Sequence, residues 1–295
     1  MRLAVATNAT TLPASVADHD HEQAAEVALQ WQEYATHAHL WEMTATLRGA
    51  DEGRASELAG LMASTGEQLA LALSAAVEVA LWVEHRATAS PDETHEMAMR
   101  GMAEAQCHFV VGTGHALANV AVRALALDKT LLVQLAERLK RKDAKPFAPF
   151  SENRADWVSF SDGPCKALSA VAESCEQDQV DELIRPITDV GLGRVWRDLC
   201  NRRGKDFHRW RPQSHGLQGL AQTTPWSRAQ GSRSLPLTPP PYRAARGRAH
   251  DTAGIATDAM LQLATAMRTF ADNFAAASNV LGGPTLTRLS DTPRQ

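Results

Sequence analysis

Met260, Leu263, Met267, Phe270, Phe274 and Leu281 recur three, four or seven residues apart, and Gly282-Gly283 closes the run. At 3.6 residues per turn that spacing puts all six on one side of a helix. A stripe of large apolar side chains has to be covered, and the natural cover is more helices. The expected helix starts at Asp251, as its N-cap, and ends at Leu281.

Nothing elsewhere argues for a sheet. The chain is rich in Ala, has only two Tyr among 295 residues, and rarely clusters β-branched residues. No run of alternating apolar residues occurs, which favours helix throughout. Helical patterns are expected over His21–Leu47, Ala55–His85 and Leu131–Leu139. Ser90-Pro91-Asp92-Glu93 reads as a capping box opening a further helix to about Leu127. Gly112 and Gly114 interrupt that helix, and with no strand before them they mark a kink or close packing rather than a nucleotide loop. Asp156–Ser174 is expected to be helical in part, Gln177–Arg185 to be a helix stopped by Pro186, and Val195–Arg211 to be one helix.

The fold class that follows is an all-α helical bundle, read as two packed helical subdomains with a long basic loop. Residues 1–20 are expected to be irregular, 21–140 to form an acidic bundle, and 141–155, polar with two prolines, to be the linker. Residues 156–281 form the second part, with the Gly-, Ser-, Pro- and Arg-rich loop at 213–248, and 282–295 are a mobile tail.

Charge is unevenly placed. Between Asp18 and Glu104 many acids face only Arg48, Arg54, Arg86 and Arg100, whereas from Asn201 to His250 ten cations face Asp206 alone. Such asymmetry suits an anionic partner on the basic side, or attraction between the halves. Cys107, Cys165, Cys175 and Cys200 form no CxxC pair and read as reduced, buried thiols. The N-terminus lacks the apolar run of a secretory signal. The longest apolar stretch, Leu69–Val83, is broken by Glu78 and falls short of the roughly 20 residues of a membrane span. A soluble, cytoplasmic protein with no membrane partner is expected.

The chemistry concentrates in VWRDLCNRRGKDFHRWRP, residues Val195 to Pro212. On one helix Trp196, Leu199, Cys200, Arg203, Phe207 and Trp210 share a docking stripe, with His208 on a flank. Guanidinium groups bind phosphate oxygens bidentately, and imidazole titrates near neutrality and moves protons. In RNA the 2′-hydroxyl supplies the nucleophile, so such a pair needs no metal. Trp and Phe side chains stack on unpaired bases.

Arg203 to His208 has the form Arg-x4-His, and Arg202 to His208 the form Arg-x5-His. This resembles the Arg-x(4–6)-His motif of the HEPN superfamily, over about the last third of the chain. The resemblance implies a small all-α bundle, often a metal-independent ribonuclease, and commonly a homodimer with a composite site. It would make His208 the acid/base and place Arg203 or Arg202 on the phosphate. Gly204 follows Arg203 where the family often has Asn or Asp, and Arg209–His215 and Arg243–His250 fit the same spacing, so the choice of Arg stays open. Arg197, Lys205, Arg209, Trp210 and Arg211 are the candidate RNA-binding residues.

The alternative is a non-catalytic helical protein-interaction or dimerisation module, with the basic stretch serving only a helix end. A small-molecule or metal site in the first bundle ranks third. His19, His21, His37, His39, His108 and His115 form no Glu-x-x-His pair, so neither metal nor cofactor is expected.

Overall fold

The computed structural model describes residues 12–36, 41–44, 52–88, 93–139, 157–208, 243–281 and 285–288. The described chain is all-α. Its helices are α1 (His19–Thr36), α2 (Glu52–Thr88), α3 (Glu93–Leu125) and α4 (Lys129–Arg138), then α5 (Asp162–Ser174), α6 (Asp178–Leu192), α7 (Arg194–His208) and α8 (Arg243–Leu281). A short antiparallel ribbon pairs β1 (Trp41–Thr44) with β2 (Thr285–Arg288), Trp41 opposite Arg288 and Thr44 opposite Thr285.

Local chemistry explains several boundaries. Asp18 caps α1, its Oδ1 accepting from His21 N at 2.9 Å and His21 Nδ1 at 2.7 Å. Asp128 caps α4 in the same way, accepting from Thr130 N and Leu131 N. On α6 the buried residues Val180, Leu183, Ile184, Ile187, Thr188 and Gly191 follow i, i+3, i+4, i+7, i+8 and i+11, which is one helix face.

One large core runs through the described chain, with two small clusters beside it around Val79 and Val77. α1 and α2 pair, α2 packs along α3, and α5 and α6 form a helical hairpin. α8 touches α1, α2, α3, α6 and α7. Its Met260, Leu263, Met267 and Phe270 are each 0 % exposed, so the stripe read from the sequence is the centre of the bundle. Trp31 of α1 meets Phe270 at 5.7 Å between ring centroids.

Several expectations are corrected. The first helix ends at Thr36 rather than Leu47, and part of the remainder is β1. α8 begins at Arg243, so Asp251 is a helical residue and not the cap, and the expected loop 213–248 overlaps the helix. Residues 285–288, expected within a mobile tail, pair with β1. α6 runs through Pro186 instead of stopping there. α3 is continuous through Gly112 and Gly114. In α2 the stretch Glu57–Glu84, mean hydropathy 1.3, is long and apolar enough for a membrane span, yet Leu58, Met62, Leu69 and Leu73 on it are core residues of the bundle. The linker 141–155, Ser90-Pro91-Asp92 and residues 213–242 lie outside the described residues.

Candidate nucleic-acid interface

α6 and α7 are separated by Gly193 alone, whose extended backbone (φ −69°, ψ 158°) breaks the first helix and starts the second. Gly193 N donates back to Val190 O at 3.0 Å, while its own carbonyl accepts from Arg197 N at 3.3 Å. This turn aims the first two turns of α7 into the bundle. Trp196 is 2 % exposed and Leu199 0 %, and Cys200 and Arg203 are half-buried one and two turns on. The docking stripe expected from the sequence therefore forms as far as Arg203.

Trp196 is fixed by a small polar clamp. Its Nε1 donates to Phe160 O at 2.8 Å, and its indole meets the Phe160 ring edge-on at 4.7 Å. Phe160 N donates to His115 Nδ1 at 2.9 Å. One turn along α3, Asn119 grips Val158 with both ends of its amide: Nδ2 donates to Val158 O at 2.9 Å and Oδ1 accepts from Val158 N at 3.0 Å. An amide used this way replaces the strand that an extended segment otherwise needs for its main-chain groups. Gly114 makes the approach possible, because a Cβ there would overlap the Trp196 and Phe160 rings. At Gly191 a Cβ would meet Cys165 Sγ and the Phe160 ring.

Arg203 lies close enough to this clamp to be felt electrostatically. Burial first, and then the Arg203 charge, hold His115 below its ordinary value. With Nδ1 accepting from Phe160, neutral His115 carries its proton on Nε2. It is thus a committed acceptor and not a free base. The thiols are no better as nucleophiles. Burial pushes Cys200 up against the opposing pull of Arg203, and burial with the Asp162 charge pushes Cys165 up to about 12.

Among the residues expected to contact RNA, Arg197 is exposed on the first turn of α7, with Nε on Gly193 O at 3.4 Å. Arg202 is half-buried beside Arg203. Lys205 and His208 are on α7, and their side chains lie outside the described residues, as do Arg209, Trp210 and Arg211. Arg203 and His208 are five residues apart on this helix and Arg202 and His208 six, so by helix geometry their backbone positions stand about 140° and 120° apart around its axis.

Sequence reasoning passed over Trp157, Phe160 and Asn119, and read His115 only as a possible ligand. The available signal was the alternation Val158-Ser159-Phe160-Ser161, too short to count as a run. The groove between α1 and α8, lined by Asp20, Gln23, Val27, Gln262, Thr265 and Arg268 among others, brings no His or Cys to the surface. Among the described residues no three ligating side chains converge. The chain matches no family model, no curated protein and no solved structure.

Proposed function

We propose that the protein binds single-stranded RNA through the basic end of α7, and that His208, with Arg203 or Arg202, serves metal-independent cleavage of the bound strand. The observation that carries this reading is the way α7 docks. Trp196 and Leu199 take up its apolar side, Arg197 is exposed on its first turn, and Arg202 and Arg203 are half-buried toward its end. Cations gathered on one helix in this way suit a phosphate backbone.

In the reaction the 2′-oxygen attacks the adjacent phosphorus as a base takes its proton. The bond to the 5′-oxygen breaks, that oxygen receives a proton, and a cyclic phosphate remains. An imidazole suits the proton transfers and a guanidinium the charge on the phosphorane oxygens. Because Arg203 and His208 diverge around α7, the reading takes the Arg from one copy and the His from another, in a homodimer like those of the HEPN superfamily. An interaction module docking through Trp side chains is less well supported, because Trp31 and Trp196 are buried in the core.

The test is incubation of the purified chain with total RNA in EDTA, beside His208→Ala and Arg203→Ala. Cleavage by wild type that is lost in His208→Ala supports the catalytic part. Salt-sensitive binding without cleavage leaves a binding protein. Absence of both returns the chain to the interaction module.

A further inference from the structure

The groove between α1 and α8 encloses about 210 Å³. Trp31, eleven residues after Asp20 on α1, meets Phe270, nine residues after Leu261 on α8. Asp20 and Leu261 both line the groove, so the two helices run in the same direction along it. Asp20 then stands at one end and Arg268 at the other. Asp20 lies eleven residues before the Trp31–Phe270 contact and Arg268 two, which separates their backbones by about 13 Å along the axes. The floor between them is Ala24, Val27 and Ala264, all buried. Two of the three are alanines, and longer side chains there would fill the space.

The two charged ends do not meet each other. Asp20 and Arg268 are both exposed, and among the described residues neither side chain has an ion-pair or hydrogen-bond partner. A long side chain on a helix leans toward its N-terminus. Because Arg268 lines the groove, that lean brings its charge back toward Asp20 and narrows the gap. The side-chain amide of Gln262, on the Asp20 side of the groove, is also without a partner. Thr265 Oγ1 donates to Leu261 O at 3.0 Å, so toward the groove its oxygen can only accept.

We propose that this groove binds a small zwitterion that carries an amine and a carboxylate at the two ends of a methylene chain. The amine sits at Asp20 and Gln262, the carboxylate at Arg268, and the methylenes lie on the alanine and valine floor. A lone anion is repelled by Asp20 and a lone cation by Arg268, whereas a molecule with both charges satisfies both ends. The volume is below the roughly 300–1,000 Å³ of sites for drug-sized molecules, so a nucleotide is too large and a molecule of amino-acid size fits. No residue of α7 lines the groove, so this inference is independent of the RNA-binding reading.

The experiment is isothermal titration calorimetry of the full chain with 6-aminohexanoate, hexanoate and hexylamine. Wild type is expected to bind 6-aminohexanoate roughly three- to tenfold more tightly than either single-charge analogue. Arg268→Gln should reduce its affinity to that for hexylamine, and Asp20→Asn to that for hexanoate. Both variants should melt with wild type, since neither side chain holds another. Ala264→Leu should abolish binding by filling the floor. Absence of saturable binding of 6-aminohexanoate by wild type overturns the proposal. So does an affinity that either charge variant leaves unchanged.

Discussion

The side-chain amide of Asn273 on α8 donates to the main-chain oxygen of Glu182 on α6 at 3.4 Å. Glu182 O is the acceptor that residue 186 would fill in an unbroken helix, and Pro186 has no N–H to give. A donor from another helix thus stands in for the missing one. Asn273→Ala is expected to destabilise by about 0.5–1 kcal/mol in urea unfolding. In a Pro186→Ala background, where the helix supplies its own donor, the same substitution should cost close to nothing. Equal costs in both backgrounds would show that the two residues are not coupled.

Gly114 and Gly60 should respond to alanine with opposite signs. Around Gly60 on α2 a Cβ would meet nothing within 4 Å, so Gly60→Ala should gain about 0.5–1 kcal/mol from helix propensity alone. At Gly114 the Cβ would enter the Trp196 and Phe160 rings, and Gly114→Ala should lose about 1–3 kcal/mol. Thermal melts of the two single variants decide it.

His115 predicts acid sensitivity. Burial and Arg203 keep its folded value below the ordinary 6.5. Between those two values the unfolded chain binds a proton that the folded chain refuses, so this contribution is complete above pH 6.5 and is lost as pH falls below it. Wild type should have a lower urea midpoint at pH 5.5 than at pH 7.5. His115→Asn, whose Oδ1 can accept from Phe160 N but does not titrate, should show a smaller difference between the two.

Arg123 on α3 and Glu57 on α2 pair at 3.1 Å, their side chains 7 % and 14 % exposed. Arg123→Met leaves the Glu57 carboxylate in the interface and should cost about 3–5 kcal/mol. Adding Glu57→Leu should restore most of the loss, and a chemical unfolding series on the three variants measures it.

Trp196 and Pro186 mark the two sides of what could be read in advance. The stripe from Trp196 to Arg203 and the stripe of α8 were legible because both rest on helical periodicity, a property of neighbours in the chain. Pro186 pointed to a helix end because its replacement donor, Asn273, is remote in sequence from Glu182. His115 was ambiguous for a similar reason: its partner is a main-chain N–H 45 residues away, which no spacing rule reveals. The start of α8 was misplaced because Asp251 has the chemistry of a cap, whereas the helix begins at Arg243. Of the candidate site, the docking of α7 and the burial of Arg203 could be foreseen. The separation of Arg203 and His208 around α7 was legible too, because it follows from helical spacing alone.

α8 supplies the centre of the core and is the last of the eight described helices in chain order. During synthesis α1, α2 and α3 leave the ribosome with the surface meant for Met260, Met267 and Phe270 still open. Proteins commonly fold from the N-terminal side as they are made. Here the acidic helices must wait for a segment more than a hundred residues behind them. Until α8 arrives the apolar faces of the earlier helices stay open, and a chain interrupted before residue 260 lacks the side chains that cover them.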